Sequence, residues 1–183
     1  MTLIIGLGNP GENFDSTPHN VGFDVIEAFV KENGFSEFKL QKKSEALISS
    51  GVINGTKIIV AKPQTFMNNS GKTAKSLVGK NKEQEVIVVH DDIDLAFGRI
   101  KISKNRGSAG HKGVESIIEA IGNENFVRVR IGVMPAEGKP KEPEKFVLKK
   151  IEIPENVILK ASGIVKLIAI NGLEKAMDEI NRQ

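Results

Sequence analysis

The chain of 183 residues contains no cysteine, no tryptophan and no tyrosine. The absence of cysteine excludes disulfide bonds, thiolate zinc sites, iron–sulfur clusters and thiol nucleophiles. No apolar run is long enough for a membrane-spanning helix, and the first residues lack the basic and long apolar regions of a signal peptide. We therefore expect a cytoplasmic protein that has no membrane partner.

Positive charge is concentrated in one part of the chain, although the net charge is only +3 and the pI is near 9.0. Residues 96–113 contain no aspartate or glutamate. The cations of this segment are Arg99, Lys101, Lys104, Arg106 and Lys112. Such a segment is typical either of a solvated loop rim or of a surface that binds phosphate groups, and its composition leaves both interpretations open.

Helical and strand patterns alternate through most of the chain. Leu3–Ile5 and Val86–Val89 are short apolar runs typical of buried strands. Asn54-Gly55 separates two strand patterns and predicts a tight hairpin, which makes the sheet mixed rather than purely parallel. Amphipathic patterns between the strands predict helices. The sequence therefore predicts one α/β domain over 1–183, with three α/β/α layers and a mixed central sheet.

The end of the chain carries its longest amphipathic pattern. Apolar residues recur at helical spacing after Pro154 and predict a C-terminal amphipathic helix over 154–183, as part of the same domain. Gly163 and Gly172 are the residues most able to interrupt that helix. Before it, residues 135–144 combine three prolines with charged residues and predict a surface loop.

The segment Gly6-Leu7-Gly8-Asn9-Pro10-Gly11 matches the dinucleotide-binding fingerprint G-x-G-x-x-G directly after a predicted strand. That fingerprint requires a helix to begin at the loop, so that the helix N-terminus meets the pyrophosphate. Here Pro10-Gly11 predicts a turn, and the helical pattern begins only at about Asn20. A dinucleotide site is therefore disfavoured, and we expect no cofactor.

A second glycine motif, Gly71-Lys72-Thr73, imitates the end of a phosphate-binding P-loop. The complete P-loop needs a glycine at position 66 to open the phosphate cradle, and this position is Phe66. The motif therefore does not predict a nucleotide site.

The three histidines, His19, His90 and His111, all lie where a predicted strand ends or a predicted helix begins. Ligand crevices of α/β sheets form at such places. The sequence has no G-x-S-x-G nucleophile motif of a serine hydrolase. A metal site in the run His90–Asp94 is disfavoured, because adjacent residues of a strand point to opposite faces. A histidine base paired with an aspartate requires neither a metal nor a covalent intermediate.

Several motifs together resemble the signatures of bacterial-type peptidyl-tRNA hydrolases. They are, in chain order, Gly6–Gly11, Thr17–Phe23, Lys62–Gly71, His90–Leu95, Gly107–Gly113 and the strand Arg128–Val133. The motifs are collinear with those of the family and cover nearly the whole chain. The resemblance is therefore far more specific than any single motif.

The resemblance implies a monomeric, metal-independent esterase that cleaves the bond between the peptide carboxyl group and the terminal ribose of tRNA. His19 would be the base that activates water. Asp91 would hold this imidazole and stabilise its cation. Asn9 would help distinguish a blocked amine from a free one, and Asn68 would bind the peptide backbone or the oxyanion.

The resemblance also implies residues that bind the substrate. Phe14 and Phe66 would stack or pack on the 3′ end of the tRNA, and Met67 would line the crevice. The motif around His111 and Lys112 would contribute further substrate contacts. The cations expected to contact tRNA phosphates are Lys101, Lys104, Arg106 and Arg130.

Three positions depart from the family pattern. Pro18 stands where the family usually has arginine, and Phe14 stands where it usually has tyrosine. Lys112 replaces an asparagine that contacts substrate and water, and lysine cannot accept a hydrogen bond. These departures predict a changed rate or pH optimum rather than loss of the fold. They also leave open a second function, that of a non-catalytic RNA-binding protein on the same scaffold.

Overall fold

The computed structural model describes residues 1–78 and 84–181. The strands of this described part are β1 (Thr2–Gly6), β2 (Lys39–Gln41), β3 (Ala46–Ile53), β4 (Thr56–Pro63), β5 (Glu85–Ala96), β6 (Ile100–Lys104) and β7 (Val127–Met134). Its α-helices are α1 (Val21–Glu32), α2 (Ser70–Leu77), α3 (Lys112–Ile121), α4 (Pro143–Phe146), α5 (Glu155–Asn171) and α6 (Leu173–Asn181).

The strands form one mixed sheet in the order β2-β3-β4-β1-β5-β7-β6. The four central strands β4, β1, β5 and β7 run parallel, whereas β2, β3 and β6 pair antiparallel with their neighbours. The β3–β4 hairpin turns at Asn54 and Gly55, whose φ angles of 48° and 77° are both positive, as a tight hairpin of this kind requires. The predicted mixed sheet and its hairpin are confirmed.

Helices cover both faces of the sheet. The face that carries Ile4, Ile87 and Val129 packs against α1 and α5. The opposite face, with Leu3 and Val88, packs against α2 and α3. This arrangement is the predicted three-layer α/β/α architecture, and apolar side chains fill both of its interlayer spaces.

Strand β5 connects these two cores to the polar end of the sheet. It is buried from Val86 to Asp92, and its alternation directs Val88 and His90 toward α2 and α3. Asp91 is two residues after Val89, so its side chain points to the same face as that of Val89, toward α1 and α5. Neighbouring residues of one strand thus supply polar groups to opposite faces of the sheet.

The glycines of the fingerprint-like segment allow α1 to approach the strand ends. A Cβ atom on Gly6 would lie 2.3 Å from the carbonyl oxygen of Gly22, and one on Gly8 would lie 2.7 Å from the Phe23 ring. A Cβ atom on Gly22 would lie 2.5 Å from backbone atoms of both Leu7 and Val89. Gly6 and Gly8 therefore serve helix–strand packing, whereas Gly11 has a positive φ of 106° and no atom within 4 Å of an added Cβ. These separate roles account for the G-x-G-x-x-G pattern in a chain whose helix α1 begins 10 residues after Gly11.

Some local predictions need correction. The segment predicted as one C-terminal helix over 154–183 divides into α5 and α6, because Gly172 adopts a positive φ of 79° between them. Residues 182–183 lie outside the described part. The predicted loop over 135–144 ends in the short helix α4. Among the described residues, no helix combines the length and the apolar character needed to cross a membrane.

Replacing Gly22 by alanine will destabilise the fold by at least about 2 kcal/mol, because the added methyl group meets backbone rather than movable side chains. Gly163 is the matched control. It lies inside α5, and nothing approaches within 4 Å of its added Cβ atom. Gly163→Ala should therefore raise stability by about 0.5–1 kcal/mol. Urea unfolding of the two variants measures both effects, and equal stability of the two variants would contradict the packing argument.

Candidate active site

A cavity of about 790 Å³ opens at the carboxyl ends of β1 and β5. The predicted site residues that line it are Asn9, His19, Met67, Asn68, Asp91, His111 and Lys112. Its opposite wall is formed by the segment 142–148, which includes α4. The crevice therefore lies at the edge of the sheet where α/β folds commonly bind ligands.

His19 enters the crevice from the turn Pro18–Asn20 that precedes α1. Its backbone N–H donates to the carbonyl oxygen of Val147 at 2.9 Å, which ties the turn to the opposite wall. Its Nδ1 atom lies 2.8 Å from Oδ1 of Asp91. The His19 side chain is 13% exposed and that of Asp91 only 3%, so the imidazole is accessible while the carboxylate behind it is covered.

His111 reaches the same carboxylate from the other face of the sheet. It is the N-cap residue of α3, and its Nδ1 atom accepts from the backbone N–H groups of Gly113 and Val114 at 3.2 and 3.3 Å. A nitrogen that accepts these bonds carries no proton, so the proton of the neutral ring is on Nε2. Nε2–H donates to Oδ1 of Asp91 at 2.8 Å.

The two imidazoles keep Asp91 ionised. Burial alone would raise the pKa of the Asp91 carboxyl group, but the charges and hydrogen bonds of His19 and His111 hold this pKa well below its usual value. An ionised carboxylate can only accept, so His19 donates from Nδ1. When the His19 ring is neutral, Nε2 therefore carries the free lone pair, as a general base requires.

Asn9 is held by three hydrogen bonds at the end of β1. Its backbone N–H donates to Oδ1 of Asn20 at 2.8 Å, and Nδ2 of Asn20 donates back to its carbonyl oxygen at 3.0 Å. Its own Oδ1 accepts from the backbone N–H of Met67 at 2.8 Å. These contacts orient the side-chain amide, so that Nδ2 is its remaining donor at a residue that lines the cavity.

The predicted aromatic and amide contacts lie on the wall beside Asn9. Met67 is 5% exposed, and Asn68 next to it is exposed. Phe66 is 58% exposed, and its ring packs edge-on against Phe14 with the centroids 6.2 Å apart. The two phenylalanines therefore form an accessible apolar pair, although neither lines the cavity that contains His19.

The four predicted phosphate-binding cations do not form a single cluster. Lys101 is exposed and lies opposite Arg130 in the β6–β7 ladder. Arg130 also pairs through Nε with Oδ2 of Asp92 at 2.7 Å, so much of its charge is already compensated. Lys104 lies toward the start of β5, and together with Glu85 it lines a separate cleft. Arg106 is exposed in the loop after β6.

Lys112 stands at the first residue of α3, where it lines the cavity and pairs with Glu144 at 3.0 Å. Both side chains are more than half exposed. The pair links the α3 side of the crevice to α4 on the opposite wall. An exposed pair of this kind contributes about 0–1 kcal/mol, so it holds the two walls together only weakly.

Sequence reasoning missed several residues that support the site. Asn20 anchors Asn9, and Asp92 pairs with Arg130. The opposite wall also approaches the site through Lys139, which pairs with Asp94 at 2.7 Å. The polar residues at the end of β5 indicated a site in general, but no sequence pattern indicates that the 142–148 segment folds back over it.

His19, Asp91 and His111 bring potential metal-ligand atoms within 4.8 Å of one another. The hydrogen bonds argue against an ion between them. Metal binding at Nε2 of His111 would require a proton on Nδ1, where two backbone N–H groups already donate. The distances of 2.8 Å from Oδ1 to each ring are also shorter than the roughly 3.3 Å between ligands at tetrahedral zinc. The three side chains are therefore arranged as two N–H donors that share one carboxylate oxygen.

The hydrogen bonds predict the tautomers of the two rings. At a pH where both rings are neutral, His19 should carry its proton on Nδ1 and His111 on Nε2, as measured by long-range ¹H–¹⁵N NMR correlations. In Asp91→Ala, His19 should populate both tautomers, whereas His111 should keep its proton on Nε2 because the helix N-terminus is unchanged. A wild-type His111 ring protonated on Nδ1 would contradict the assignment.

Comparison with known proteins relates this geometry to a family. The sequence profile of peptidyl-tRNA hydrolases matches residues 3–183. A peptidyl-tRNA hydrolase of Thermoanaerobacter sp. strain X514 is 44% identical over 190 residues, covering 99% of this chain and 100% of that protein. One of Mycolicibacterium smegmatis is 37% identical over 187 residues, covering 98% of this chain and 96% of that protein.

The solved structures agree with the sequence match. The crystal structure of peptidyl-tRNA hydrolase from Acinetobacter baumannii superposes with a TM-score of 0.83 at 32% sequence identity, covering 99% of this chain and 94% of that chain. The resemblance and the fold class predicted from the sequence are thereby confirmed. A match of this extent, in sequence and in structure, places the chain in the peptidyl-tRNA hydrolase family.

Proposed function

We propose that this protein hydrolyses the ester bond of peptidyl-tRNA with water, with His19 as the general base. The observation that carries this proposal is the hydrogen bond of 2.8 Å between Nδ1 of His19 and Oδ1 of Asp91 at the opening of the crevice, in a chain of the peptidyl-tRNA hydrolase family. The bond leaves Nε2 of His19 as the basic atom, and the buried Asp91 stabilises the imidazolium that forms.

In the proposed reaction, Nε2 of His19 removes a proton from water as the water oxygen attacks the ester carbonyl carbon. The carbonyl electron pair moves to oxygen and forms an oxyanion. When the tetrahedral intermediate collapses, the bond to the ribose oxygen breaks, and that oxygen takes the proton from the imidazolium. The products are a peptide with a free carboxyl group and a tRNA. A general base positioned in this way raises the reaction rate by a factor of about 10²–10⁴.

The amides on the β1 side of the crevice supply hydrogen bonds without adding charge. Nδ2 of Asn9 is oriented by the contact of its Oδ1 with Met67 and is available to a substrate carbonyl group. A contact to the carbonyl of an N-acyl group would favour a blocked aminoacyl group over a free amine. Asn68 is exposed on the same wall and is the candidate donor to the peptide backbone or to the oxyanion.

The tRNA would approach over the β6–β7 edge and the phenylalanine pair. Lys101 and Arg106 are exposed cations on that side, and phosphate contacts of this type recognise shape and charge rather than base sequence. Phe14 and Phe66 offer apolar ring surface to the unpaired 3′ end. Lys104 is the weakest of the predicted contacts, since it faces the cleft beside Glu85.

A monomer in the cytoplasm would be sufficient for this activity. The His19–Asp91 pair, which forms the catalytic dyad of the proposed reaction, belongs to the same chain as Asn9 and the walls of the crevice. The substrate forms where ribosomes release unfinished peptides, and this fits the cytoplasm.

The test of the catalytic role is hydrolysis of N-acetyl-aminoacyl-tRNA by the purified protein. His19→Ala should lower kcat at least about 10²-fold because the base is removed, while tRNA affinity changes little. Unblocked aminoacyl-tRNA is the control substrate and should be cleaved far more slowly. Equal activity of the His19→Ala variant would contradict the assignment of the base, and RNA binding without any turnover by the wild type would favour the non-catalytic alternative.

The test of the RNA surface is the dependence of kcat/KM on salt. Lys101→Ala should raise KM and make the slope of log(kcat/KM) against log[salt] less negative by about 1, because one phosphate contact is lost. Lys57→Ala is the matched control, since Lys57 is exposed near the start of β4, at the opposite end of the sheet. The same change of slope in both variants would show that Lys101 makes no specific contact.

A further inference from the structure

His90 is the histidine of the site that the proposed reaction leaves without a role. It precedes Asp91 in β5 but faces the side of α2 and α3, where its side chain is covered, with 2% exposure of the residue. His90 borders the cavity, but its burial prevents it from offering a base to a substrate in the crevice. It nevertheless contacts Asp91, which accepts from His19, and His111, which donates to the same carboxylate.

The first contact of His90 is to the backbone of Asp91. Nδ1 of His90 lies 2.6 Å from the carbonyl oxygen of Asp91. A carbonyl oxygen can only accept, so the ring proton is on Nδ1 and donates to it. This bond restrains the peptide group between Asp91 and Asp92, which is attached to the Cα atom that carries the Asp91 side chain.

The second contact is to His111. The two ring centroids lie 4.6 Å apart with an interplanar angle of 65°, which is an edge-to-face arrangement. The centroid of the His111 ring also lies 4.9 Å from that of His19. The His90 ring thus packs against the imidazole that donates to Oδ1 of Asp91.

His90 remains neutral in this position. Burial lowers the pKa of His90 well below its usual value, and this effect, together with that of His111, outweighs the opposing effect of the charge and carbonyl group of Asp91. Its Nε2 atom is buried and has no hydrogen-bond partner among the described residues. A buried acceptor without a partner costs stability, so an apolar side chain would fill this space more favourably. Compared with an apolar side chain, histidine provides an N–H group that donates a hydrogen bond to the carbonyl oxygen of Asp91.

We propose that His90 is a positioning residue for the hydrolysis, which sets the direction in which the Asp91 carboxylate meets His19 by holding the Asp91 peptide and the His111 ring. The proposal rests on the proposed function, since it acts through the same dyad. Small displacements of a catalytic group lower the rate of the chemical step more than substrate binding. The effect of His90 should therefore appear in kcat.

Three substitutions separate positioning from packing. The amide nitrogen of asparagine can take the place of Nδ1, so His90→Asn keeps a donor to the Asp91 carbonyl group. His90→Leu fills the space without a donor. His90→Gln is the polar control, because its longer side chain places the amide nearer the position of Nε2. Each is assayed for kcat and KM on N-acetyl-aminoacyl-tRNA, for Tm, and for the tautomer of His19 by NMR.

We expect His90→Leu and His90→Gln to lower kcat by about 10- to 100-fold, with KM within about twofold of the wild type. His90→Asn should recover kcat to within about threefold of the wild type. In the leucine variant, the His19 proton should no longer be confined to Nδ1, while Tm stays within about 4 °C of the wild type. If the leucine variant does not fold, the test is the comparison of kcat between the His90→Asn and His90→Gln variants.

Three kinetic results would overturn the proposal: a leucine variant with wild-type kcat, an asparagine variant as impaired as the glutamine variant, or a loss that appears only in KM. Failure of the proposed function gives a different result, because the wild-type protein would then not cleave the N-acetyl-aminoacyl-tRNA at all. The His19 tautomer is measured without substrate. An unchanged tautomer in a folded leucine variant would overturn the positioning role whether or not the enzyme is active.

Discussion

A single carboxylate oxygen organises the polar end of this sheet. Oδ1 of Asp91 accepts from His19, which precedes α1, and from His111, which precedes α3 on the opposite face. The two donors keep the buried carboxylate ionised, and the ionised carboxylate in turn determines the proton position on His19. The basicity of the His19 imidazole therefore depends on contacts to Asp91 from both faces of the sheet.

This arrangement requires two helix starts to lie close to the end of one strand. Gly22 permits the approach of α1, since a Cβ atom there would meet the backbone of Leu7 and Val89. Gly113 has the same role for α3, because its Cβ atom would lie 2.4 Å from Sδ of Met67. The glycines that permit close helix packing therefore also determine the geometry of the site. The same close approaches that bury the core also bring the imidazoles within reach of Asp91.

The crevice is lined by neutral amides beside the ionised Asp91 carboxylate and by charged residues along its opposite wall. Asn9 and Asn68 line the interior, where an ester and a peptide would bind. Lys112 at the margin pairs with Glu144, so the charge that distinguishes this chain from the usual asparagine is balanced across the crevice. Such exposed pairs are weak and are easily exchanged for phosphate contacts when a polyanion binds. This distribution suits a substrate with a neutral reacting group attached to a highly charged RNA.

The sequence by itself determined the layers, the hairpin and the identity of the polar residues, because these follow from local periodicity, turn chemistry and motif spacing. The pairing of His19 with Asp91, 72 positions apart, was implied by the family resemblance and established by the tertiary structure. Only the tertiary structure decided that Arg130 would pair with Asp92, that Lys104 would face a separate cleft, and that the 142–148 segment would form a wall. Partners distant along the chain are chosen by strand order and by the face on which each helix packs, and no local pattern encodes either.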